Sequence, residues 1–519
     1  MVEISRWLSE AWSLSQNIIP AKNLIYFLDS QWFAITIRPA MRQIITADRT
    51  QTHLLPPCVD DWLCDDHPAR FIAEFVEQLD LRQLGFDELN RDEGGSAYAP
   101  ALLLAVWLYG YYDKRSSTRA LEKSCRENMA YIWLAGNQHP DHNSLWRFWN
   151  EHRAHIRRLF KQTLKLAMKM NLVGMVAQAL DGTKIAAACG KKSCDMKKLE
   201  EKTTLIDEQI AEIEKQIKEA GNQAADKLPR ALANKKALKE QIEKAKQRVR
   251  QKETKSANPQ EPDATLMKNG PAYNAQAVAD TQTQIVVAAD LTNQISDQEQ
   301  TLPMMEQARA NLQEATGQSA PERAPQASQV QTLADTNYAS QQNFHKAVAG
   351  KHALLTPPPS AWSDISDPYH AAHFKHDREN NHVICPQGRV LTHRGTRQDE
   401  GVISDIYGKR RECDGCPVKA RCTKRQKDGR QVNIAREGHE EMVRRRAEWE
   451  RAEVRQKYGR RAPTIEPVFA QIKNVMGFRR WTVKGLEKVS AQWQMLCASW
   501  NLKVILRYWR AQKAMEAAA

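Results

Sequence analysis

The sequence predicts an α/β protein: a mixed-sheet core behind a helical N-terminal domain, interrupted by an inserted helical hairpin and by a cysteine-bearing insertion. Three observations carry this. Apolar residues recur at helical spacing through residues 57–175. From residue 176 short apolar runs take over (176–185, 273–278, 285–289, 330–334), and two of them carry an aspartate at or near their ends, Asp181 and Asp335. Between these runs lie stretches of different composition, a charged segment at 196–253 and a basic, cysteine-bearing one at 360–457.

At 519 residues the chain has room for several domains and a large core. Its net charge of +14 and pI of 9.2 favour a polyanionic partner, which nucleic acid satisfies best. The expectation is no membrane span, since no apolar run approaches the roughly 20 residues that crossing needs. No basic-then-apolar leader opens the chain. Ten cysteines, four of them clustered late, argue against a disulfide framework and for a reducing cytoplasm.

Residues 1–56 hold Trp7, Trp12 and Trp32 without periodicity, and Met41 opens more ordinary sequence; the expectation is an extension upstream of a true start at Met41. In residues 57–175, His67-Pro68 leads an amphipathic helix, Ala99-Pro100 starts the apolar helix 101–112, Ser116-Ser117 caps the next, and 129–134 forms another. His139-Pro140-Asp141-His142 breaks the chain before a helix with Leu145, Phe148 and Trp149. Exposed Arg115, Arg119 and Arg147 on short helices suggest a helix-turn-helix-like DNA reader; a packing or dimerisation domain fits equally. His139 and His142 suit turn and capping roles better than metal ligation.

Run 176–185 is a strand bearing Asp181, followed by Gly182. Burying that carboxylate is costly unless it is paired or binds a metal. Residues 196–253 repeat Ile206, Ile210, Ile213 and Ile217, then Leu238, Ile242, Ala245 and Val249, a charged antiparallel helical hairpin suited to an arm or dimer contact. Runs 273–278 and 285–289 flank Asp280-Thr-Gln-Thr283 as a strand hairpin. Residues 302–312 read as a helix, 315–328 as a surface segment, 330–335 as a strand ending in Asp335, and 353–356 as a short strand.

In the second insertion Cys385 precedes Cys413, Cys416 and Cys422. Four thiols, one pair spaced C-x2-C beside Gly and Pro turns, can make a structural tetrahedral zinc site; free cysteines in a small fold are the alternative. Between Ile406 and Arg461 there are 18 Lys/Arg against 9 Asp/Glu, which makes this region the best candidate for gripping phosphates. From Thr464 the apolar residues Ile465, Phe469, Ile472, Val475 and Met476 mark a helix face. Thr464 is expected to cap that helix, with Pro467 in its first turn. Glu466, Lys473 and Arg480 recur every seven residues and are expected to share a second face.

Two acids on neighbouring strands and a third on a packing helix is the layout of a ribonuclease-H-like core. Converging carboxylates there could hold two Mg²⁺ (or Mn²⁺) ions about 3.5–4 Å apart. Asp280, Asp290 and Asp297 are competing acids, ranked lower as a hairpin turn, a strand end and a helix start. The tail, with Trp493, Leu496, Trp500 and Leu502, reads as a helix packed on the core.

Five motifs in order resemble bacterial insertion-sequence transposases of the DDE type: Tyr109-Gly-Tyr111 through Pro140-Asp141-His142 to Phe148; Asp181-Gly-Thr-Lys184; Ala334-Asp335-Thr-Asn-Tyr338-Ala-Ser340; the four-cysteine segment; and Ile465-Glu466-Pro-Val-Phe-Ala-Gln-Ile-Lys473. The resemblance spans about residues 60–506. It implies Asp181, Asp335 and Glu466 as the catalytic, metal-binding triad, and Tyr458, Arg461 and Lys473 as contacts to transposon-end DNA. Arg479, Arg480 and Lys484, farther along the same basic stretch, are expected DNA contacts too. Four residues separate Arg461 from Glu466, where related signatures often have three. The resemblance further implies cleavage and joining of double-stranded DNA at terminal inverted repeats and target, self-association into a dimer or larger synapse, and work at the bacterial nucleoid. The alternatives are an inactive DNA-binding relic or repressor, and a nuclease for structured nucleic acid. The resulting division is 57–175 for the helical domain, 176–357 with 458–510 for the core (hairpin 196–253 inserted), and 360–457 for the basic insertion.

Overall fold

The computed structural model describes residues 25–28, 31–34, 58–86, 97–220, 227–251, 253–316, 330–359, 365–399, 402–425 and 427–518. They fall into two units, Met1–Cys58 and Val59–Ala519. The first contributes an antiparallel pair, Ile25–Leu28 with Gln31–Ala34. Trp7, Trp12 and Met41 lie outside the described residues, as does most of the surface segment expected at 315–328.

The second unit begins with helices α1 (Pro68–Glu77), α2 (Pro100–Tyr112), α3 (Thr118–Glu127), α4 (Met129–Leu134), α5 (His142–His152) and α6 (Ile156–Lys169). Their starts follow from local chemistry. Ser117 accepts from the Ala120 N–H and Asp141 from the Ser144 N–H, each satisfying a donor the helix leaves open. Helix α2 is apolar nearly all round because neighbours cover it nearly all round; Leu104, Val106 and Leu108 are fully buried. Trp107 and Trp149 pack with ring centroids 5.0 Å apart. His139 and His142 tie the turn down, His139 Nδ1 to the Cys125 carbonyl and His142 Nδ1 to Glu122 at 2.8 Å. Of the three arginines expected on the surface, Arg119 and Arg147 are exposed. Arg115 is half-buried, paired with Asp113 at 2.9 Å over the Tyr131 ring.

The core opens with β1 (Ala177–Ala186). The inserted hairpin follows as α7 (Met196–Ala220) and α8 (Lys227–Arg250), closed by Leu199, Ile206, Ile242 and Ala245. Then come β2 (Ala257–Asn258), β3 (Glu261–Met267), β4 (Gly270–Asp280), β5 (Val286–Thr292), α9 (Thr301–Thr316), β6 (Gln331–Ala334), α10 (Gln341–Ala349) and β7 (Ala353–Leu355). The sheet order is β2-β3-β4-β1-β6-β7, with β5 also on β4. Strand β4 is antiparallel to β1 and β5, whereas β6 runs parallel to β1 and β7 to β6. This is the expected ribonuclease-H-like arrangement, and its parallel half decides where the acids go. Leu180 is registered opposite Ala334, so Asp181, in the middle of β1, stands beside Asp335, the residue just past β6.

The cysteine insertion is a five-stranded antiparallel sheet, β8 (Lys375–Asp377), β9 (His382–Ile384), β10 (Val390–Asp399), β11 (Val402–Tyr407) and β12 (Val432–Ala435), with a small core of Phe374, Val383, Leu391, Tyr407 and Ile434. Helices α11 (His439–Trp449), α12 (Ala452–Tyr458) and α13 (Arg461–Ala470) return the chain to the core. The terminal helix α14 (Leu486–Ala518) bonds both halves. Trp493 Nε1 donates to the Gln276 carbonyl, Ser499 to the Leu108 carbonyl, and Asn501 brackets the Val286 backbone, accepting its N–H and donating to its carbonyl. Among the described residues no helix is long and apolar enough to cross a membrane.

Candidate active site

Helix α13 differs from the sequence expectation in three ways. It begins at Arg461, so Thr464 does not cap it; the Thr464 hydroxyl instead donates to the Arg460 carbonyl. Pro467 therefore lies inside the helix, where it lacks the N–H that would bond the Pro463 carbonyl. Gln284 Nε2 takes over that carbonyl at 3.1 Å, so the missing bond is replaced from the β4–β5 turn. The helix then widens into a π-turn at Gln471–Val475 and stops, leaving Arg480 off the helix altogether. Glu466, Lys473 and Arg480 thus do not share one stripe. The apolar face is as expected at Ile465, Phe469, Ile472 and Met476, all buried, while Val475 is exposed.

Asp181 sits in the middle of β1 with its side chain 20% exposed. Burial pushes its carboxyl above the ordinary range, and the neighbouring Asp335 pushes the same way; the Gly182 N–H and Arg461 oppose. Asp335 caps the turn after β6, accepting from the Asn337 N–H at 2.8 Å. Glu466, 63% exposed, points out of α13. Arg461 joins the acids: Nη1 lies 3.1 Å from Asp181 and Nη2 3.6 Å from Glu466. Tyr458 is half-buried beside Arg461, and burial raises its hydroxyl pKa. Among the described residues no group of three or more His, Cys, Asp or Glu side chains is gathered closely enough to hold a metal ion as it stands.

The remaining expected DNA contacts follow one another along the chain. Lys473 Nζ donates to the Lys184 carbonyl at 3.2 Å from the π-turn, and its burial lowers its pKa. Arg479 is exposed and bonded to Asn474; Arg480 reaches the carbonyls of Ala187 and Cys189; Lys484 is exposed. The basic segment before α13 is partly self-neutralised, since Arg436 pairs with Asp405, Arg445 with Glu448 and Arg446 with Glu450.

Sequence reasoning undervalued the other face of the sheet. Asp297 is not simply a helix start: its side chain caps nothing and is instead held by Lys184 Nζ at 2.8 Å, Asn274 Nδ2 at 2.6 Å and Gln276 Nε2 at 2.7 Å. The Tyr338 hydroxyl donates to Gln276 Oε1. This network joins β1, β4 and the turn carrying Asp335 behind the paired acids. The signal was present, because Asn274 and Gln276 alternate with alanines on β4 as an inward polar face does. Asp280 is the hairpin-turn residue expected, accepting from Gln282, Thr283 and Gly174 N–H groups.

The four late cysteines border one cavity without closing into a metal-binding cluster as they stand. Cys385, Cys413, Cys416 and Cys422 line one cavity of about 20 Å³. Gly388 and Gly415 turn the chain at φ of +74° and +66°, and Cys413 Sγ accepts the Arg430 N–H at 3.3 Å.

Two comparisons bear on the whole. Residues 384–506 match the family described as "Transposase DDE domain", and residues 57–151 match "Transposase domain (DUF772)". The first includes the cysteines and Glu466; Asp181 and Asp335 lie between the two matches. No curated protein and no solved structure matches the chain.

Proposed function

We propose that this chain, which its two family matches indicate is an insertion-sequence DDE transposase, cleaves the DNA strands at the terminal inverted repeats of its element and joins them to a target. The observation that carries the reading is the parallel register that sets Asp181 beside Asp335, with Glu466 linked to Asp181 through Arg461.

Proteins of this type generally use divalent metal ions, and the residues fit. The donors are hard carboxylate oxygens, which Mg²⁺ or Mn²⁺ prefers. Asp181 is buried beside a second carboxylate, so its negative charge calls for a cation, a need now met in part by Arg461. Asp181, Asp335 and Glu466 would hold two ions. What bound Mg²⁺ supplies is charge neutralisation at the phosphate and a water or 3′-hydroxyl acidic enough to attack at neutral pH. The protein's own groups do the positioning. Asp335 is fixed by the turn it caps, Asp181 by its strand, and exposed Glu466 is free to approach them. Arg461 can trade its carboxylates for the two oxygens of an arriving phosphate, a bidentate fit for a guanidinium, and so release both acids. Lys473, held at the end of β1, places a cation beside the same strand. A second element of the reading is structural zinc at Cys385, Cys413, Cys416 and Cys422, supported by their shared cavity and glycine turns.

The test is cleavage and strand transfer on a labelled terminal repeat taken from the DNA flanking the gene, wild type against Glu466→Ala, with and without Mg²⁺. Metal-dependent cutting and joining, absent in the variant, is the expected result. Binding without cutting would mark a DNA-binding relic; cutting without joining, a nuclease.

A further inference from the structure

The inserted hairpin has an asymmetry that its own packing does not require. Helix α7 carries five Lys/Arg and seven Asp/Glu; α8 carries nine Lys/Arg and two Asp/Glu. Two of the nine, Lys236 and Lys239, pair across the hairpin with Glu214 and Asp207. Lys246 and Arg248 pair locally with Glu243 and Glu253. Lys244 and Arg250 are exposed with no carboxylate at ion-pair distance among the described residues. The cation-rich helix is also the one against the core: Arg248 bonds the carbonyls of Pro262 and Ala264 on β3.

Between α8 and the core runs an open groove of about 450 Å³, lined by Lys244 from the hairpin, by Lys484 from the segment leading into α14 and by Lys488 from the first turn of α14. Two acids, Glu261 and Asp263, line it as well, so three lysines face two carboxylates. Glu261 accepts the Gly485 N–H and the Tyr273 hydroxyl, and Asp263 accepts the Leu486 N–H. The segment that reaches the groove also meets the strand that carries Asp181. Asp181 and Ala186 lie five residues apart on β1, about 17 Å at ~3.3 Å per residue. There the Trp481 N–H bonds the Ala186 carbonyl, so the basic segment running from Arg479 to Lys484 crosses the end of the strand and leads into the groove.

We propose that this groove and the cationic face of α8 bind the phosphate backbone of duplex DNA, extending the transposon-end footprint from the cleaved phosphate onto the inserted hairpin. The occupant is duplex DNA because cations outnumber acids both in this open groove and along α8, and because the basic segment that reaches the groove also crosses the end of the strand carrying Asp181. The proposal rests on the active-site reading above. At about 3.4 Å per base pair, 17 Å places the first groove contacts at least about five base pairs inside the cut.

The experiment compares full-length wild type with Lys244→Ala/Arg250→Ala on a duplex carrying the terminal repeat, by fluorescence anisotropy over a salt series and by hydroxyl-radical footprinting. Losing two phosphate contacts should reduce the slope of log K against log salt by about 1.8, so that wild type loses about ten-fold more affinity than the variant between about 50 and 200 mM salt. Backbone protection should disappear only from about five base pairs inward, and protection at the cut should remain. An unchanged slope and footprint overturns the proposal. So does a variant whose DNA binding is normal but whose sedimentation shows a lost dimer, which would make α8 a contact between copies. Lys473→Ala separates the two levels: if it weakens binding at the cut while the α8 variant is neutral, the groove proposal alone fails. If wild type does not distinguish the terminal repeat from scrambled duplex, the underlying reading fails.

Discussion

Gly182→Ala tests whether the polar network behind the acids holds the site together. Gly182 lies on β1 between Asp181 and Thr183, and its φ is not positive, so alanine can adopt the backbone. The obstacle is space. A Cβ there would press hardest on Gln276 Nε2, and would stand 2.7 Å from Asp297 Oδ1 and 2.9 Å from Asn274 Oδ1. None of these can swing aside cheaply, because each is bonded to another: Gln276 to Tyr338, Asn274 and Asp297, and Asp297 to Lys184. Overpacking costs about 1–3 kcal/mol, a buried polar group left unpaired another ~1–3 kcal/mol, and the stiffer unfolded chain returns about 0.4–1 kcal/mol. The net is a loss of roughly 3 kcal/mol. Over a cooperative unit of about 460 residues, at ~2.1 cal/mol/K per residue, that lowers the calorimetric midpoint by about 3 °C. Cleavage should fall further than stability, because Tyr338 sits three residues after Asp335 and carries the strain to it. Gln276→Ala added to Gly182→Ala should recover part of the lost stability, since it removes the most crowded partner. A Gly182→Ala protein with wild-type midpoint and wild-type cleavage would refute the argument.

Other outcomes follow from the same geometry. Asp181→Ala, Asp335→Ala or Glu466→Ala should each abolish cleavage, at least a hundred-fold, while gel-shift affinity for the terminal repeat stays largely intact; retained cleavage by any one removes that residue from the triad. Arg461→Ala should strengthen Mn²⁺ binding by the DNA-free protein in calorimetric titration, because the guanidinium no longer competes for Asp181 and Glu466, yet weaken end binding; unchanged Mn²⁺ affinity would show that Arg461 does not occupy the cation position. Cys416→Ser should lower bound zinc, measured by metal analysis, and destabilise the five-stranded insertion; a zinc-free wild type of equal stability ends that reading. In the same insertion, bonding to Arg436 pulls the Asp405 carboxyl down to about 2. A depressed carboxylate stabilises the fold above its unfolded pKa of about 3.9, and that stability is lost as pH falls through about 2. Asp405→Asn should therefore be less stable than wild type at pH 5, with the gap closing between about pH 4 and 2 in denaturant titrations; a constant gap contradicts the pairing.

Much of the fold was legible because it rests on local signals. Ser117 caps its helix as expected, His67 and Asp141 stand at the helix starts the sequence marks, the Asp280 turn closes its hairpin, and the 3–4 spacing of Ile206 with Ile210 and of Leu238 with Ile242 marks the inserted hairpin. The acid-bearing strands were legible by type, although their parallel register is a long-range fact that no local pattern contains. What sequence reasoning misread at α13 has a physical reason. Thr464 is a good cap and Pro467 a good first-turn residue, so propensity starts the helix at 464; tertiary contacts start it at Arg461 instead, with Asp181 paired to its first residue and Gln284 replacing the bond that Pro467 removes. Asp297 was undervalued for a similar reason. A lone acid ahead of a helix is usually a cap, and only its neighbours on β1 and β4 reveal the network it serves.

These departures share a cause. A regular helix through Gln471–Val475 would carry Lys473 onward along the α13 stripe; the π-turn, which inserts an extra residue into the turn, rotates it so that Nζ meets the Lys184 carbonyl on β1. Pro467 removes one bond from the same helix, and Gln284 fixes the replacement to the β4–β5 turn. Arg461 anchors the helix start to Asp181. Helix α13 is therefore pinned twice in its first turn, at Arg461 and Pro463, and again just past its end at Lys473, by contacts that its intrinsic propensity does not supply. Glu466 projects from between the last two pins, Pro463 and Lys473, with its side chain exposed. A carboxylate that must meet two strand-borne acids gains little from belonging to a well-formed isolated helix; it gains from a helix that cannot shift against the strand. The irregularities of α13 are what tie its one exposed acid to β1.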